Sequence, residues 1–327
     1  MGGTTLKPLH EVQKRTDLAA RRYVILRTMS LKARTRNGQS SMAGYLFLTP
    51  WLVGLLGLTA LPMIASLYLS FTNYDMINRP RWIGIGNYVK MFQDPQYLMS
   101  VKVTLTYVLL NVPIHLVVAL LIALLLHKGI RGLHIYRAVY YVPSLFGGSV
   151  AISLLWKQIF GGGGLVSNLL EHLFGLQNVN LIDSPQTALY TLIILAIWQF
   201  GSPMIIFLAG LQQIPVELHE AATIDGASTS KRFFRITLPL LTPFIFFNLV
   251  MQIISSFQAF TPAYIVSDGS GGPLNSTLFY TLYLYQTGFS NFQMGYASAM
   301  AWVLLIAIAI ISAFLFATSK KWVFYSE

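Results

Sequence analysis

The chain has 327 residues, of which 55% are hydrophobic and only 10% are charged, and its mean hydropathy is +0.60. A composition this apolar excludes an ordinary soluble domain of that size and predicts an integral membrane protein. The formal charge of +11 lies mostly beside the apolar segments, where anionic lipid head groups account for it, and it requires no nucleic acid. Cysteine is absent, which excludes disulfides, thiolate metal sites and a catalytic thiol.

The first 43 residues form a basic arm that carries nine Lys and Arg residues. Apolar and small residues recur in it at helical spacing, from Leu9 and Val12 to Tyr23 and Leu26, with basic residues on the other sides. Two interpretations stay open for this arm, an interfacial helix on the inner leaflet and a disordered basic tail.

Six apolar segments of about 20 residues or more follow the arm, each long enough to cross the hydrocarbon layer as a helix. They run near 44–70, 102–126, 137–159, 187–211, 239–265 and 293–317. No charged residue lies deep inside any of them, so the sequence predicts an all-α membrane domain with six spanning helices over residues 44–320. Residues 321–327 form a short tail, and Gly161–Gly164 predicts a flexible loop after the third span.

The distribution of basic residues predicts the orientation of these spans. With the N-terminus inside, 17 of the 22 Lys and Arg residues lie on the cytoplasmic side and five on the outer side. Basic residues favour the cytoplasmic side of bacterial membranes, so both termini and the loop at about 212–238 are predicted to be cytoplasmic.

That loop is a short polar segment between the fourth and fifth spans. Pro215 is a suitable first residue for a helix, Glu217 and Glu220 suit the positive end of its dipole, and Gly226 suits its end. Ser228 can then cap a second helix that runs toward the next span. Small side chains on the first helix leave room for the backbone of another protein to approach closely. The alternative that these residues leave open is an ordinary amphipathic loop without a partner.

The run from Glu220 to Pro239 resembles the cytoplasmic loop of permease subunits in binding-protein-dependent ATP-binding-cassette (ABC) importers. Other segments resemble the carbohydrate branch of this family, which includes maltose, lactose and glycerol-phosphate permeases. These segments are Phe47-Leu-Thr-Pro50, Ile83-Gly-Ile-Gly-Asn87-Tyr88, Tyr141-Val-Pro143, Gly210-Leu-Gln-Gln-Ile-Pro215, Gly271-Gly-Pro273 and Gly295-Tyr-Ala-Ser-Ala299. The resemblance covers roughly residues 44–320.

The resemblance implies the type I permease fold of ABC importers, with a cytoplasmic coupling helix at 216–225 that docks on a separate ATPase subunit. The positions carried over to this coupling role are Glu220, Ala221, Ala222, Asp225 and Gly226. It further implies a second homologous permease, an ATPase dimer that binds ATP and Mg, an external solute-binding protein and a sugar or oligosaccharide substrate. The chain has no phosphate-binding Gly-x-x-x-x-Gly-Lys-Ser/Thr loop of its own. It is therefore expected to hold no cofactor and to be no enzyme. The resemblance also implies that the chain lies in the bacterial inner membrane.

A candidate substrate path comes from polar residues within the fourth and fifth spans. Gln252, Ser255, Ser256 and Ala259 share one helical face, and the segment from Trp198 to Met204 interrupts an aliphatic run with Gly and Pro. Hydroxyl and amide groups suit a sugar, whereas the alternative is that they bridge packed helices. Resemblance to maltose-type permeases places the sugar contacts near Phe200, Gly201, Met204, Gln252, Ser255, Ser256 and Ala259.

Two further points concern polar residues within the spans and the positions of the acidic residues. Asn111 and His115 in the second span are interpreted as helix-packing residues, because no second His or carboxylate stands at metal-ligand spacing. The alternative function is an ion-coupled secondary transporter, which normally carries buried carboxylates. All 11 Asp and Glu residues lie in loops, tails or span ends, and this favours the ABC permease.

Overall fold

The computed structural model describes residues 44–127, 132–175 and 179–324. The chain divides into two units, Met1–Ala65 and Ser66–Glu327. Within the first unit the described residues, 44–65, are helical throughout. The predicted basic arm at 1–43 and the last three residues of the tail lie outside the described part of the chain.

Helices dominate the described residues, and one short strand pair interrupts them. The longer helices are α1 (Gly44–Ser70), α2 (Gly86–Gln93), α3 (Pro95–His127), α4 (Leu133–Phe146), α5 (Val150–Phe160), α6 (Leu165–Phe174), α7 (Ala188–Trp198), α8 (Gly201–Gln212) and α9 (Val216–Ile224). After α10 (Thr229–Arg232) and a π-helical turn (Phe233–Thr237) come α11 (Leu238–Leu240), α12 (Thr242–Phe257), α13 (Thr261–Val266), α14 (Tyr280–Tyr285) and α15 (Met294–Ser319). Strands β1 (Thr72–Asn73) and β2 (Arg81–Trp82) pair antiparallel.

The described helices confirm an all-α membrane fold. Five are long and apolar enough to cross a membrane, and α7 with α8 makes a sixth span that bends by 43°. Helix α3 lies in the centre of the second unit, where α7, α8, α12 and α14 pack against it. It buries residues on several sides, including Tyr107, Val112 and Ala119, because its sequence is apolar around its whole circumference.

The third predicted span, 137–159, is wrong as a single helix. The chain breaks at Gly147–Ser149, and Ser149 Oγ caps α5 by accepting from the Ile152 N–H at 3.3 Å. The helix of spanning length found here is Val150–Phe174, which joins α5 and α6. The flexible loop predicted from Gly161–Gly164 is therefore a short turn that leads directly into α6.

The fifth predicted span, 239–265, also contains a break. Helix α12 ends at Phe257, so Gln258 and Phe260 lie in the interruption before α13, within a segment predicted to be one continuous helix. The hydroxyl of Thr281 donates to the Ala259 carbonyl at 2.5 Å, which satisfies a backbone acceptor that the break exposes.

The Asp94 carboxylate holds the beginning of α3 against α14 and α15. Asp94 Oδ1 accepts from the backbone N–H of Gln96 (3.0 Å) and Tyr97 (3.3 Å), and Oδ2 accepts from the hydroxyls of Tyr283 (2.5 Å) and Tyr296 (2.9 Å). Burial alone raises the pKa of the Asp94 carboxyl, but these four hydrogen bonds outweigh burial and hold the pKa below its usual value. The ionised carboxylate thereby ties α3 to α14 and α15.

Candidate functional site

A cavity of about 450 Å³ lies among α3, α4, α7, α8 and α12. Its polar lining consists of amides, hydroxyls and one imidazole: Tyr107, Asn111, His115, Ser144, Gln199, Ser202, Gln252, Ser255, Ser256, Gln258 and Thr261. Aromatic faces from Phe260 and Phe279 complete it, and no Asp, Glu, Lys or Arg is among the described lining residues. Such a surface can exchange hydrogen bonds with hydroxyl groups and contact the C–H faces of a sugar ring.

One wall of the cavity is built where α3 meets α12. Gln252 Nε2 donates to His115 Nδ1 at 3.0 Å, and Asn111 Nδ2 donates to Ser256 Oγ at 3.1 Å. Asn111 and His115 are buried, and neither Asn111 Oδ1 nor His115 Nε2 has a hydrogen-bond partner among the described residues. Buried polar atoms are normally paired, so the wall has spare hydrogen-bonding capacity for a ligand or water.

Sequence reasoning interpreted Asn111 and His115 as packing residues and left them out of the site. They do link two helices, but they also line the cavity. Their spacing of four residues puts both on one face of a span that is otherwise apolar, and that signal could have found them.

The opposite wall contains the breaks between α4 and α5 and between α7 and α8. Ser144 Oγ donates to the Gln199 carbonyl at 2.8 Å and accepts from the Ser202 N–H at 3.1 Å. Gln199 Nε2 donates to the Gly147 carbonyl at 3.0 Å. Pro203 lies four residues after Gln199 and has no N–H, so the Gln199 carbonyl lacks its helical partner and the bend follows.

The structure separates the seven predicted substrate-path residues into two groups. Gln252, Ser255, Ser256 and Ala259 line the cavity. Phe200, Gly201 and Met204 do not belong to the lining: Phe200 packs against Tyr140, Met204 is fully buried in the core, and Gly201 is buried against α4. Ser202 and Pro203, which lie between Gly201 and Met204, line the cavity in their place.

The second candidate surface is the helix between the fourth and fifth spans. Pro215 is the N-cap, so α9 begins one residue later than predicted, at Val216, and it ends at Ile224. Gly226 has a φ of +74°, as its predicted role requires. The Ala227 N–H donates to the Ala222 carbonyl at 2.9 Å and the Gly226 N–H to the Thr223 carbonyl at 3.0 Å, which is the hydrogen-bond pattern of a Schellman cap.

The surface of α9 combines acidic residues with exposed apolar ones. Glu220, Asp225 and Gly226 are exposed, and Ile224 keeps 87% of its surface accessible. The Arg232 guanidinium donates to Thr223 Oγ1 at 2.6 Å and fixes the following helix against α9. An apolar side chain this exposed at the end of a rigid helix is available for contact with another protein.

Comparison with known proteins identifies a family and several relatives that this chain resembles. The family model of the binding-protein-dependent transport system inner membrane component matches residues 100–322. The probable ABC transporter permease protein YesP of Bacillus subtilis (strain 168) is 53% identical over 290 residues, which cover 88% of this chain and 94% of that protein. The arabinooligosaccharides transport system permease protein AraP of the same organism is 33% identical over 275 residues, covering 83% and 86%.

A solved structure shares the fold. It is the crystal structure of a bacterial alginate ABC transporter in complex with an alginate pentasaccharide-bound periplasmic protein, and one of its chains matches with a TM-score of 0.73. The match covers 85% of this chain and 93% of that chain at 24% sequence identity. At that identity the comparison establishes the fold.

Proposed function

This chain belongs to the binding-protein-dependent transport system inner membrane components, in the branch of sugar ABC transporter permeases, and we propose that it is the permease subunit of an ATP-driven importer. It translocates a sugar or oligosaccharide that an external solute-binding protein delivers. The observation that carries the proposal is α9, a capped helix with an exposed acidic and apolar surface, positioned directly after the bent fourth span.

Helix α9 is the coupling helix, and a separate ATPase subunit is its partner. Covering a fully exposed Ile side chain is worth about 1.5–3 kcal/mol, so contact at Ile224 supplies a substantial part of a docking free energy. Glu220, Ala221, Ala222, Asp225 and Gly226 form the rest of the contact. ATP and Mg are bound by the partner, and this chain catalyses no reaction.

The polar cavity is the substrate path in this chain. Its amides and hydroxyls on α3 and α12 bind saccharide hydroxyls, with Gln252, Ser255 and Ser256 among them. The relatives support a saccharide substrate, since AraP is the permease of an arabinooligosaccharide transport system.

The working cycle needs further subunits. A second, homologous permease and two ATPase copies complete the complex in the bacterial inner membrane, with both termini of this chain in the cytoplasm. ATP-driven closure of the ATPase dimer brings the coupling helices together and turns the cavity outward to receive the sugar. Hydrolysis then returns the cavity to the inward-facing state.

Substitution of Ile224 by Glu tests the docking role. The side chain is exposed, so the change leaves the fold intact and removes an apolar contact with the ATPase. We expect Ile224→Glu to lower the amount of ATPase that co-purifies with an affinity-tagged chain by about tenfold, the effect of losing roughly 1.4 kcal/mol of binding.

Phe92→Glu is the matched control, because Phe92 is 79% exposed and lies on α2, beyond the opposite end of the spans. Its complex should retain the wild-type amount of ATPase. Equal recovery of ATPase with Ile224→Glu and Phe92→Glu would contradict the assignment of α9 as the coupling helix.

A further inference from the structure

Two helix breaks from different spans meet at one wall of the cavity. The first is Gly147–Ser149 between α4 and α5, and the second is Gln199–Phe200 between α7 and α8. Four residues connect them, Ser144, Gly147, Gln199 and Ser202, and all four line the cavity. We call this cluster the paired-break joint.

Each break supplies a side-chain donor for a backbone carbonyl that has no helical partner at the other break. The Gln199 carbonyl has no helical donor because residue 203 is proline, and Ser144 Oγ donates to it at 2.8 Å. The Gly147 carbonyl lies at the end of α4, and Gln199 Nε2 donates to it at 3.0 Å. The two interruptions are therefore stable only while they are together, since unpaired backbone groups in a membrane cost several kcal/mol.

The contact is also sterically close. A Cβ atom on Gly147 would lie 1.9 Å from Gln199 Cδ, and one on Gly201 would lie 2.7 Å from the Tyr140 carbonyl oxygen. Gly147 thus leaves room for the Gln199 side chain, and Gly201 allows the backbone of α8 to approach that of α4. Packing and hydrogen bonding define one arrangement of α4 relative to α8.

Helix α8 connects this joint to α9. It begins at Gly201, within the joint, and ends at Gln212, and three residues separate its end from the start of α9. Its 12 residues give a rod of about 18 Å. It packs against α3, buries Met204, Phe207, Leu208 and Leu211, and contains no further break. A displacement of α9 therefore reaches the cavity at the joint.

We propose that the paired-break joint transmits movement of the coupling helix to the cavity wall, with Ser144 and Gln199 as its positioning residues. This inference rests on the proposed function, because it presupposes that α9 responds to the ATPase. With the joint intact, movement of α8 displaces α4 and the cavity lining with it. Without the joint α8 moves alone, and ATP is hydrolysed without a matching movement of substrate.

Two serines on neighbouring helices provide a matched test. Ser144→Ala removes the hydroxyl that bonds Gln199 and Ser202. Ser153→Ala removes a hydroxyl on α5 that donates to the Ser149 carbonyl at 3.1 Å and lies outside the cavity lining. The tagged chain is purified with its native partner subunits and reconstituted in proteoliposomes. The probe is whichever labelled compound the wild-type complex accumulates from a panel of neutral and acidic oligosaccharides, and the readout is saccharide imported per ATP hydrolysed.

We expect Ser144→Ala to lower this ratio about fivefold, within the range for losing one hydrogen bond, while ATP hydrolysis continues. Ser153→Ala should keep the wild-type ratio, and Ser144→Thr, which retains a hydroxyl, should restore most of it. Gln199→Leu breaks the joint from its other side and should lower the ratio as Ser144→Ala does. If a variant assembles poorly, the ratio still decides, because it is normalised to the ATP that the recovered complex hydrolyses.

Wild-type ratios in both Ser144→Ala and Gln199→Leu would overturn the joint as a transmission element. The same result would follow if Ser153→Ala lowered the ratio as much as Ser144→Ala, since loss of any serine hydrogen bond in these helices would then explain the effect. A wild-type complex that shows no ATP-dependent uptake contradicts the proposed function instead, so the two failures are distinguishable.

Discussion

Two amides on α12 have different surroundings, although they lie only one helical turn apart. Asn248 is 3% exposed and donates to the Pro203 carbonyl at 3.5 Å, outside the cavity lining. Gln252 lines the cavity and donates to His115 Nδ1. The first holds two helices together and the second faces the proposed substrate path, so the same substitution should affect different quantities.

Gln252→Leu is expected to lower uptake per assembled complex several-fold while the yield of complex changes little. The change removes an amide from the cavity and leaves His115 Nδ1 without its donor, and each lost hydrogen bond costs about 0.5–1.5 kcal/mol. The measurement is saccharide uptake in proteoliposomes, divided by the amount of complex recovered.

Asn248→Leu is the control on the same helix. It should reduce the yield of intact complex in detergent, and the complex that does form should transport at the wild-type rate. If Gln252→Leu behaves in this way as well, Gln252 is a packing residue and does not belong to the substrate path.

Of the three helix breaks described above, sequence reasoning predicted one and missed two. The interruption at Gly201-Ser202-Pro203 was predicted, because glycine and proline within an aliphatic run are a local signal, and the bend of 43° confirms it. The breaks at Gly147–Ser149 and Gln258–Phe260 were missed. They depend on side chains far along the chain, such as Gln199 and Thr281, that satisfy the exposed carbonyls, and a hydropathy window contains no such information.

Helix α9 was predicted almost to the residue, because all its boundary signals are local. Its end depends on Gly226, whose φ of +74° is unfavourable for residues with a Cβ and most of all for β-branched ones. A Cβ at this position would meet no atom within 4 Å, so a substitution here changes backbone strain and adds no steric clash within the chain.

Gly226→Val should therefore abolish coupled uptake by distorting the Schellman cap and the direction in which α10 leaves α9. Gly226→Asn fills the same open space with a residue that tolerates the left-handed conformation, so it should retain most of the activity. ATP-dependent uptake and binding-protein-stimulated ATP hydrolysis are measured for both. Wild-type coupling in Gly226→Val would show that this bend is not required.

At the scale of the whole molecule, composition and hydropathy were sufficient for the fold class but not for the site. Five of the six apolar segments correspond to spans, counting α7 with α8 as one, whereas the third, 137–159, is divided between α4 and the span Val150–Phe174. The contribution of α3 to the cavity wall was missed because α3 and α12 meet only in the folded chain. Asn111 and Ser256, which are joined by a hydrogen bond, lie 145 residues apart in the sequence. One property of the whole molecule that the fold leaves untested is its orientation, which depends on the 17 basic residues assigned to the cytoplasmic side.

The absence of cysteine makes this orientation directly measurable. Ser230 lies on α10 beside the coupling helix and Ser270 lies in the loop after α13, and both are exposed, so a single cysteine at either position is accessible to reagents. In intact spheroplasts a membrane-impermeant maleimide should label Ser270→Cys, whereas Ser230→Cys should be labelled only after permeabilisation. Labelling of Ser230→Cys from outside would invert the topology, and it would place α9 on the side of the membrane where no ATPase can reach it.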